Sequence, residues 1–168
     1  MASITPADSA AEIAIITRLA ERIWNEHYST IISQQQIDYM LERFQSAAAI
    51  QQQIDADTRY FLINIDAARP VGYLSLVPDS THGRLQISKI YVDAAHRGRG
   101  FGKQALDFTE KQCRSMHIIN MWLTVNKNNH IAIKAYQRWG FHTTESIVTD
   151  IGQGFVMDDF IMEKSVDA

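Results

Sequence analysis

Ile90-Tyr91-Val92-Asp93-Ala94-Ala95-His96-Arg97-Gly98-Arg99-Gly100-Phe101-Gly102-Lys103 is the stretch that decides how this chain is read. Before it, Arg84 to Val92 (RLQISKIYV) has the pattern of a strand. After it, Phe101 to Met116 puts Ala105, Leu106, Thr109 and Cys113 on the inward side of a helix. Glycines at a strand-to-helix turn let the backbone turn tightly and approach a ligand closely. The N–H groups of a helix's first turn lack helical partners and lie at the positive end of its dipole. That makes an anion site suited to a phosphate or pyrophosphate. Arg97, Arg99 and Lys103 add positive charge. The competing reading is an exposed basic turn whose glycines serve geometry alone.

Working outward, Arg59 to Ile65 (RYFLINI) and Pro70 to Val77 read as strands, and the short Asp66–Arg69 link makes them a hairpin. The first third is helical. From an N-cap at Asp8 or Ser9, apolar residues recur at Ile13, Ile16, Leu19, Ala20, Ile23 and Trp24. A second helix starts near Ser33 and runs through Ile37, Met40, Leu41 and Phe44. A third covers about 47–54, with Gln51 to Gln53 on a solvated face. On the other side of the turn, His117 to Val125 (HIINMWLTV) has few polar residues and is expected to be buried on both faces. Ile131 to Trp139 is a short helix, Phe141 to Thr149 and Phe155 to Glu163 are closing strands, and Ala2–Thr5 is a candidate short strand. The order is mixed α/β. Without repeats, low-complexity tracts or a linker, residues 1–168 read as a single domain.

Composition narrows the function classes. Apolar residues at 46% and charged residues at 21% give a globular balance rather than a disordered one. A net charge of −3 argues against a sequence-independent grip on nucleic acid. The single cysteine, Cys113, excludes a disulfide framework and a multi-cysteine zinc site, and its place on the apolar side of its helix makes it a buried structural thiol. The six histidines do not stand at metal-ligand spacing with a supporting acid, so no metal is expected. No apolar run has the length of a membrane span, and the N-terminus carries acids where a signal peptide has bases. A soluble, cytoplasmic protein without membrane or nucleic-acid partners is the expectation.

Two phosphate loops fail on the glycine turn. A P-loop needs Ser or Thr after Gly102-Lys103, where Gln104 stands, and a glycine at 97. A dinucleotide fingerprint needs its third glycine one position later and an acid at the end of the next strand, which instead reads Leu123-Thr124-Val125-Asn126. What fits is Arg97-x-x-Gly100-x-Gly102. With the strand before it, the turn closely resembles the acetyl-CoA-binding motif of GNAT-family N-acetyltransferases. A second block, Asn126-x-x-Asn129-x-x-Ala132-x-x-x-Tyr136-x-x-x-Gly140-Phe141, lies where that family has one. Within the family the chain resembles the PaiA-like polyamine acetyltransferases, in Trp24-x-x-x-Tyr28, Lys89-Ile90-Tyr91-Val92, Trp122-Leu123-x-Val125 and Asp159-Phe160-Ile161-Met162.

The resemblance implies a GNAT-type domain, with a central twisted, mostly antiparallel sheet of six to seven strands flanked by helices. It implies an acetyl-CoA-dependent N-acetyltransferase that works by direct attack of a primary amine in a ternary complex, a polyamine such as spermidine being favoured. Alternatives are a peptide N-terminus or lysine, an amino-bearing metabolite or antibiotic, and, in another class, a non-catalytic CoA-binding sensor. It implies that the backbone N–H groups of Arg97, Gly98, Arg99, Gly100, Phe101, Gly102 and Lys103 hold the pyrophosphate. The main chain of Ile90, Tyr91 and Val92 would pair with pantetheine, and a free N–H near Val92 would polarise the thioester carbonyl.

Asn129, Ala132, Ile133 and Tyr136 share one helix face. Asn129 is then a cofactor contact, a helix N-cap, or both. Tyr136, a phenol neutral at pH 7, is the candidate general acid for the departing thiolate and a cofactor contact. Its competing reading is a core tyrosine. The general base is not readable. Many family members carry a carboxylate on the strand before the glycine turn, and here that strand reads Leu85-Gln86-Ile87-Ser88-Lys89. Glu26 is the first acid to test. Trp24 and Tyr28, with Tyr39, are candidates for an acceptor pocket, or equally for core. Asp150, Asp158 and Asp159 cluster late in the sequence, where a polycationic amine would want carboxylates nearby, but the leading reading is solvated acids at strand ends. Phe141 to Glu163 offers an edge for homodimer pairing by analogy with the family.

Overall fold

The computed structural model describes residues 2–66 and 69–167. The N-terminal helices form where caps and apolar stripes coincide. In α1 (Ala10–His27), Ser9 Oγ accepts the Glu12 N–H and the Glu12 carboxylate accepts the Ser9 N–H, a reciprocal capping box. Its buried residues are Ile13, Ile16, Leu19, Ala20, Ile23 and Trp24, the six expected. Ser33 caps α2 (Gln34–Gln45), and Ser46 both ends α2 and caps α3 (Ala47–Asp55).

The strands are β1 (Ser3–Pro6), β2 (Arg59–Ile65), β3 (Arg69–Asp79), β4 (Arg84–Val92), β5 (Asn120–Asn126), β6 (His142–Gly152) and β7 (Phe155–Ser165). The remaining helices are α4 (Phe101–Ser115) and α5 (His130–Arg138). In hydrogen-bonding order the sheet runs β1-β2-β3-β4-β5-β7-β6. This is the mixed α/β architecture, mostly antiparallel and flanked by five helices, that the sequence led one to expect.

The chain divides into two compact units. The first takes the residues up to 78 together with 88–109. In it β1 pairs antiparallel with β2 from Ser3↔Asn64 to Pro6↔Phe61, and β2 with β3 from Arg59↔Leu76 to Ile65↔Arg69. Between Ile63↔Gly72 and Asn64↔Pro70 the register slips, which leaves Val71 as an extra residue in a bulge. The expected hairpin is present, although Ala67 and Ala68 of its link lie outside the described residues. Six of the seven β2 residues and the six consecutive residues Val71 to Leu76 of β3 are buried, so these two neighbouring strands are covered on both faces.

The second unit takes 79–87 and the residues from 110 onward. Here β4 and β5 pair in parallel from Arg84↔Asn120 to Gln86↔Trp122 only, while β5 stays paired with β7 as far as Asn126↔Asp159. β7 also pairs with β6, whose residues are mostly exposed.

Two expectations need correction. His117–Val125 is not a strand buried on both faces. His117 takes a left-handed φ of 56° just past α4, and β5 starts only at Asn120. From there it alternates, with Met121, Leu123 and Val125 buried and Thr124 exposed, so one face alone is covered. Gln53 is not solvated either. Its amide donates to Phe44 O at 3.1 Å, and its carbonyl accepts from Tyr60 and Lys89.

Candidate functional site

In the first unit the glycine turn is built on a buried acid. Asp93, 7% exposed, follows β4 directly. Its N–H donates to the C=O of bulged Val71 at 2.8 Å. Its carboxylate meets Arg22 Nη2 of α1 at 2.8 Å and His96 Nδ1 at 2.7 Å. The chain then closes a short 3₁₀ turn, Ala94–His96, and passes through Gly98 (φ 74°) and Gly100 (φ 86°). Both values lie in the left-handed region that glycine adopts without cost. Arg97 Nε–H donates back to Val92 O at 3.1 Å.

Inside α4, Gln104 N–H donates to Gly100 O at 3.0 Å, so the N–H groups of Phe101, Gly102 and Lys103 belong to the free first turn. Phe101 is buried and anchors the helix start, with the Arg99 guanidinium 5.7 Å from its ring centre. Arg97, Gly98, Arg99 and Gly100 are exposed, and Lys103 pairs with Asp107. Bare N–H groups, two flanking guanidiniums and an uncluttered glycine surface fit a pyrophosphate.

Ile90, Tyr91 and Val92 are half-buried at the end of β4. Tyr91 packs against Trp24 at 5.7 Å and Tyr73 at 5.4 Å between ring centres, and Trp24 against Tyr28 at 4.4 Å. Trp24 and Tyr28 are both buried, 3% and 7% exposed, so they belong to an aromatic core cluster. Glu26 lies exposed on α1 and lines a shallow groove with Arg18, Glu21, Arg22 and Asn25. The structure therefore brings Trp24, Tyr28 and Tyr91 together and leaves Glu26 outside that cluster.

Sequence reasoning quoted Lys89 within the strand before the glycine turn but gave it no chemical role. It is buried in β4, and its ammonium donates to Phe44 O at 2.7 Å, Gln53 Oε1 at 2.9 Å and Tyr60 Oη at 2.5 Å. None of these partners is a carboxylate. Burial lowers its pKa to about 7 and raises that of Tyr60. No pattern in one sequence marks a strand lysine as interior. The Asp93–His96 pair did leave a signal, in its i,i+3 spacing just before the glycines.

In the second unit Asn129 caps α5, its Oδ1 accepting the Ala132 N–H at 3.3 Å, and it is 6% exposed. The N-cap reading of Asn129 is thus met. Along α5, Ala132, Ile133 and Tyr136 are half-buried while Ile131, Lys134 and Gln137 are exposed, as the shared-face spacing requires. Tyr136 packs its ring on Trp139 and Phe141, at 6.0 and 5.8 Å between centres. Cys113 is buried, and burial pushes its thiol up to about 11, which suits an inert packing residue.

Asp159 departs from its expectation as a solvated acid. It sits inside β7, 6% exposed, with Oδ1 buried and lacking a hydrogen-bond partner among the described residues. Burial raises its carboxyl to about 6, the Asp158 charge adds to this, and Lys127 opposes it. Among the described residues no group of three or more His, Cys, Asp or Glu is placed to hold a metal ion, and no helix is long and apolar enough to cross a membrane.

Comparisons with known proteins bear on the family and the fold. The streptothricin acetyltransferase of Streptomyces lavendulae is 32% identical over 87 residues, 52% of this chain and 46% of that one. The spermine/spermidine N(1)-acetyltransferase of Bacillus subtilis (strain 168) is 30% identical over 64 residues, 38% of this chain and 42% of that one. The matches thus span less than half the length of these two relatives. Among solved structures, the PaiA N-acetyltransferase of Thermoplasma acidophilum in complex with coenzyme A superposes with a TM-score of 0.79 at 20% identity, over 97% of this chain and 99% of that one. That likeness is one of fold. The sequence model of the acetyltransferase (GNAT) family matches residues 17–141, the stretch that holds the C-terminal part of α1, the glycine turn, Asn129 and Tyr136, and the chain belongs to that family.

Proposed function

We propose that this chain is an acetyl-CoA-dependent N-acetyltransferase acting on a primary amine. The observation that carries the reading is the exposed glycine turn at the start of α4, with its free N–H groups beside Arg97 and Arg99. Acetyl-CoA supplies an activated acetyl thioester. The N–H groups from Arg97 to Lys103 hold the pyrophosphate. The main chain of Ile90, Tyr91 and Val92 aligns the pantetheine arm, a role supported by the short β4–β5 ladder, which ends at Gln86 although β4 runs on to Val92. A donor N–H near Val92 polarises the thioester carbonyl. Asn129, besides capping α5, contacts the arm, and Tyr136 donates its phenolic proton to the departing sulfur. The whole chain acts as one catalytic domain, working in the cytoplasm.

The acceptor we favour is a polyamine such as spermidine, supported by the Bacillus relative named for spermine and spermidine. An amino-bearing antibiotic is the second reading, supported by the streptothricin relative. Trp24 and Tyr28 shape the acceptor side from within the core, and Glu26 is an exposed acid of that helix, as is Glu21.

Release of free CoA thiol across spermidine, spermine, putrescine, streptothricin, lysine and short peptides tests the reading. Saturable turnover with one class names the acceptor. Silence across the panel with CoA bound would favour the sensor alternative. Tyr136→Phe is expected to keep CoA affinity and lose about 100-fold in turnover, in line with the usual worth of a positioned acid. Equal rates in the two proteins would remove Tyr136 from the chemistry.

A further inference from the structure

Packing does little to hold the glycine turn in shape. From Ala94 to Gly100 every residue except His96 is exposed. A carbon added at Gly98 would meet nothing within 4 Å among the described residues. Glycine also loses more conformational freedom than any other residue when it is fixed, and Gly98 and Gly100 are both fixed at left-handed φ. A loop of this kind is ordered at the expense of ligand affinity unless something orders it beforehand.

His96 supplies such an ordering contact. A carboxylate only accepts hydrogen bonds, so the His96 ring carries a proton on Nδ1 and donates it to Asp93 Oδ1 at 2.7 Å. The same ring stands 6.4 Å from that of Phe101, edge towards face. Phe101 is the buried first residue of α4. His96 therefore joins the acid that precedes residues 97–100 to the helix that follows them. Asp93 is itself fixed from three sides, by its N–H on Val71 O, by Arg22 of α1 and by His96. Arg22 has a second effect. A buried negative charge beside an anion site repels the anion unless a cation offsets it. Arg22 supplies that cation, while Arg97 Nε–H donates to Val92 O and the Arg99 guanidinium lies over the Phe101 ring. All of these residues belong to the first unit.

We propose that Asp93, His96 and Arg22 are positioning residues that set the glycine turn in its pyrophosphate-accepting form before CoA arrives. They act through the backbone of the turn and not on the reacting atoms. The proposal rests on the acetyltransferase reading above for the identity of the ligand.

Calorimetric titration of CoA into the full chain tests this without turnover. His96→Phe keeps a ring beside Phe101 and removes the donor, and should weaken CoA binding about tenfold. Arg22→Met leaves the Asp93 charge without its cation and should weaken it at least as much. His96→Asn offers an amide N–H in place of Nδ1–H and should bind CoA within about threefold of wild type. With the panel amine that the wild type acetylates, kcat at saturating acetyl-CoA and the KM for the amine should stay within about threefold, so that the loss falls on the KM for acetyl-CoA. Arg84→Met breaks an ion pair of similar exposure, with Glu163 in the second unit, and should leave CoA affinity unchanged. Affinities within about twofold of wild type for both His96→Phe and Arg22→Met would overturn the proposal, as would losses matched by His96→Asn or Arg84→Met. A wild type that binds CoA and acetylates no amine would count against the acetyltransferase reading alone, and the same CoA affinities would still decide this one. A wild type that does not bind CoA would sink both.

Discussion

Gly72→Ala is expected to destabilise the protein by about 3 kcal/mol, the upper part of the range for overpacking a tight interior. A methyl group built on Gly72 would stand 2.2 Å from Tyr91 O and 3.1 Å from Val92 Cα. Both are backbone atoms of β4, so no rotamer change relieves the clash and a strand must move. Gly72 is needed here for space and not for a left-handed φ, since it is absent from the positive-φ glycines. Val71 next to it is the bulged residue whose C=O takes the Asp93 N–H, so the displacement reaches the base of the glycine turn. CoA affinity should fall together with the urea midpoint, at unchanged m-value. Gly154→Ala is the control. Its φ of 80° is strained for alanine, but the added carbon meets nothing within 4 Å among the described residues, so a loss of about 1 kcal/mol is expected. Equal losses at the two sites would show that the close approach to β4 does not matter.

Lys89→Met is expected to abolish a large part of the pH dependence of stability. Burial holds the folded-state pKa of Lys89 at about 7, against about 10.4 in an unfolded chain. Between these values the folded state binds fewer protons than the unfolded one. The penalty is absent above the unfolded pKa, grows as pH falls, and is complete near pH 7. Stability should thus rise from pH 7 to 9.5 by about 3 kcal/mol more in wild type than in the variant. Urea unfolding at the two pH values measures it. Cys113 also titrates upward-shifted in the folded state, but it is present in both proteins and cancels in the difference. Parallel slopes would mean that Lys89 keeps its charge in the core, sustained by Phe44 O, Gln53 and Tyr60.

Local chemistry wrote much of this protein into its sequence. The α1 stripe, the serine caps at 9 and 33, the β2–β3 hairpin and the glycine turn all rest on residues close together in the chain. Caps, periodicity and left-handed φ values act over one or two turns of backbone, so a single sequence displays them. The two spaced motifs likewise sufficed to suggest the family, which the match over residues 17–141 shows. Tertiary structure decided the rest. Which strands would be covered on both faces depended on their neighbours, and β2 and the middle of β3 took that place while β5 kept an open face. Whether Lys89 and Asp159 would meet water or be shut away depended on α2, α3 and β2 for the first and on β5 and β6 for the second. A polar side chain has the same formula buried or solvated. Its environment is supplied by segments distant in sequence, and that environment turns an ordinary strand lysine and an apparently solvated aspartate into groups with altered proton affinity.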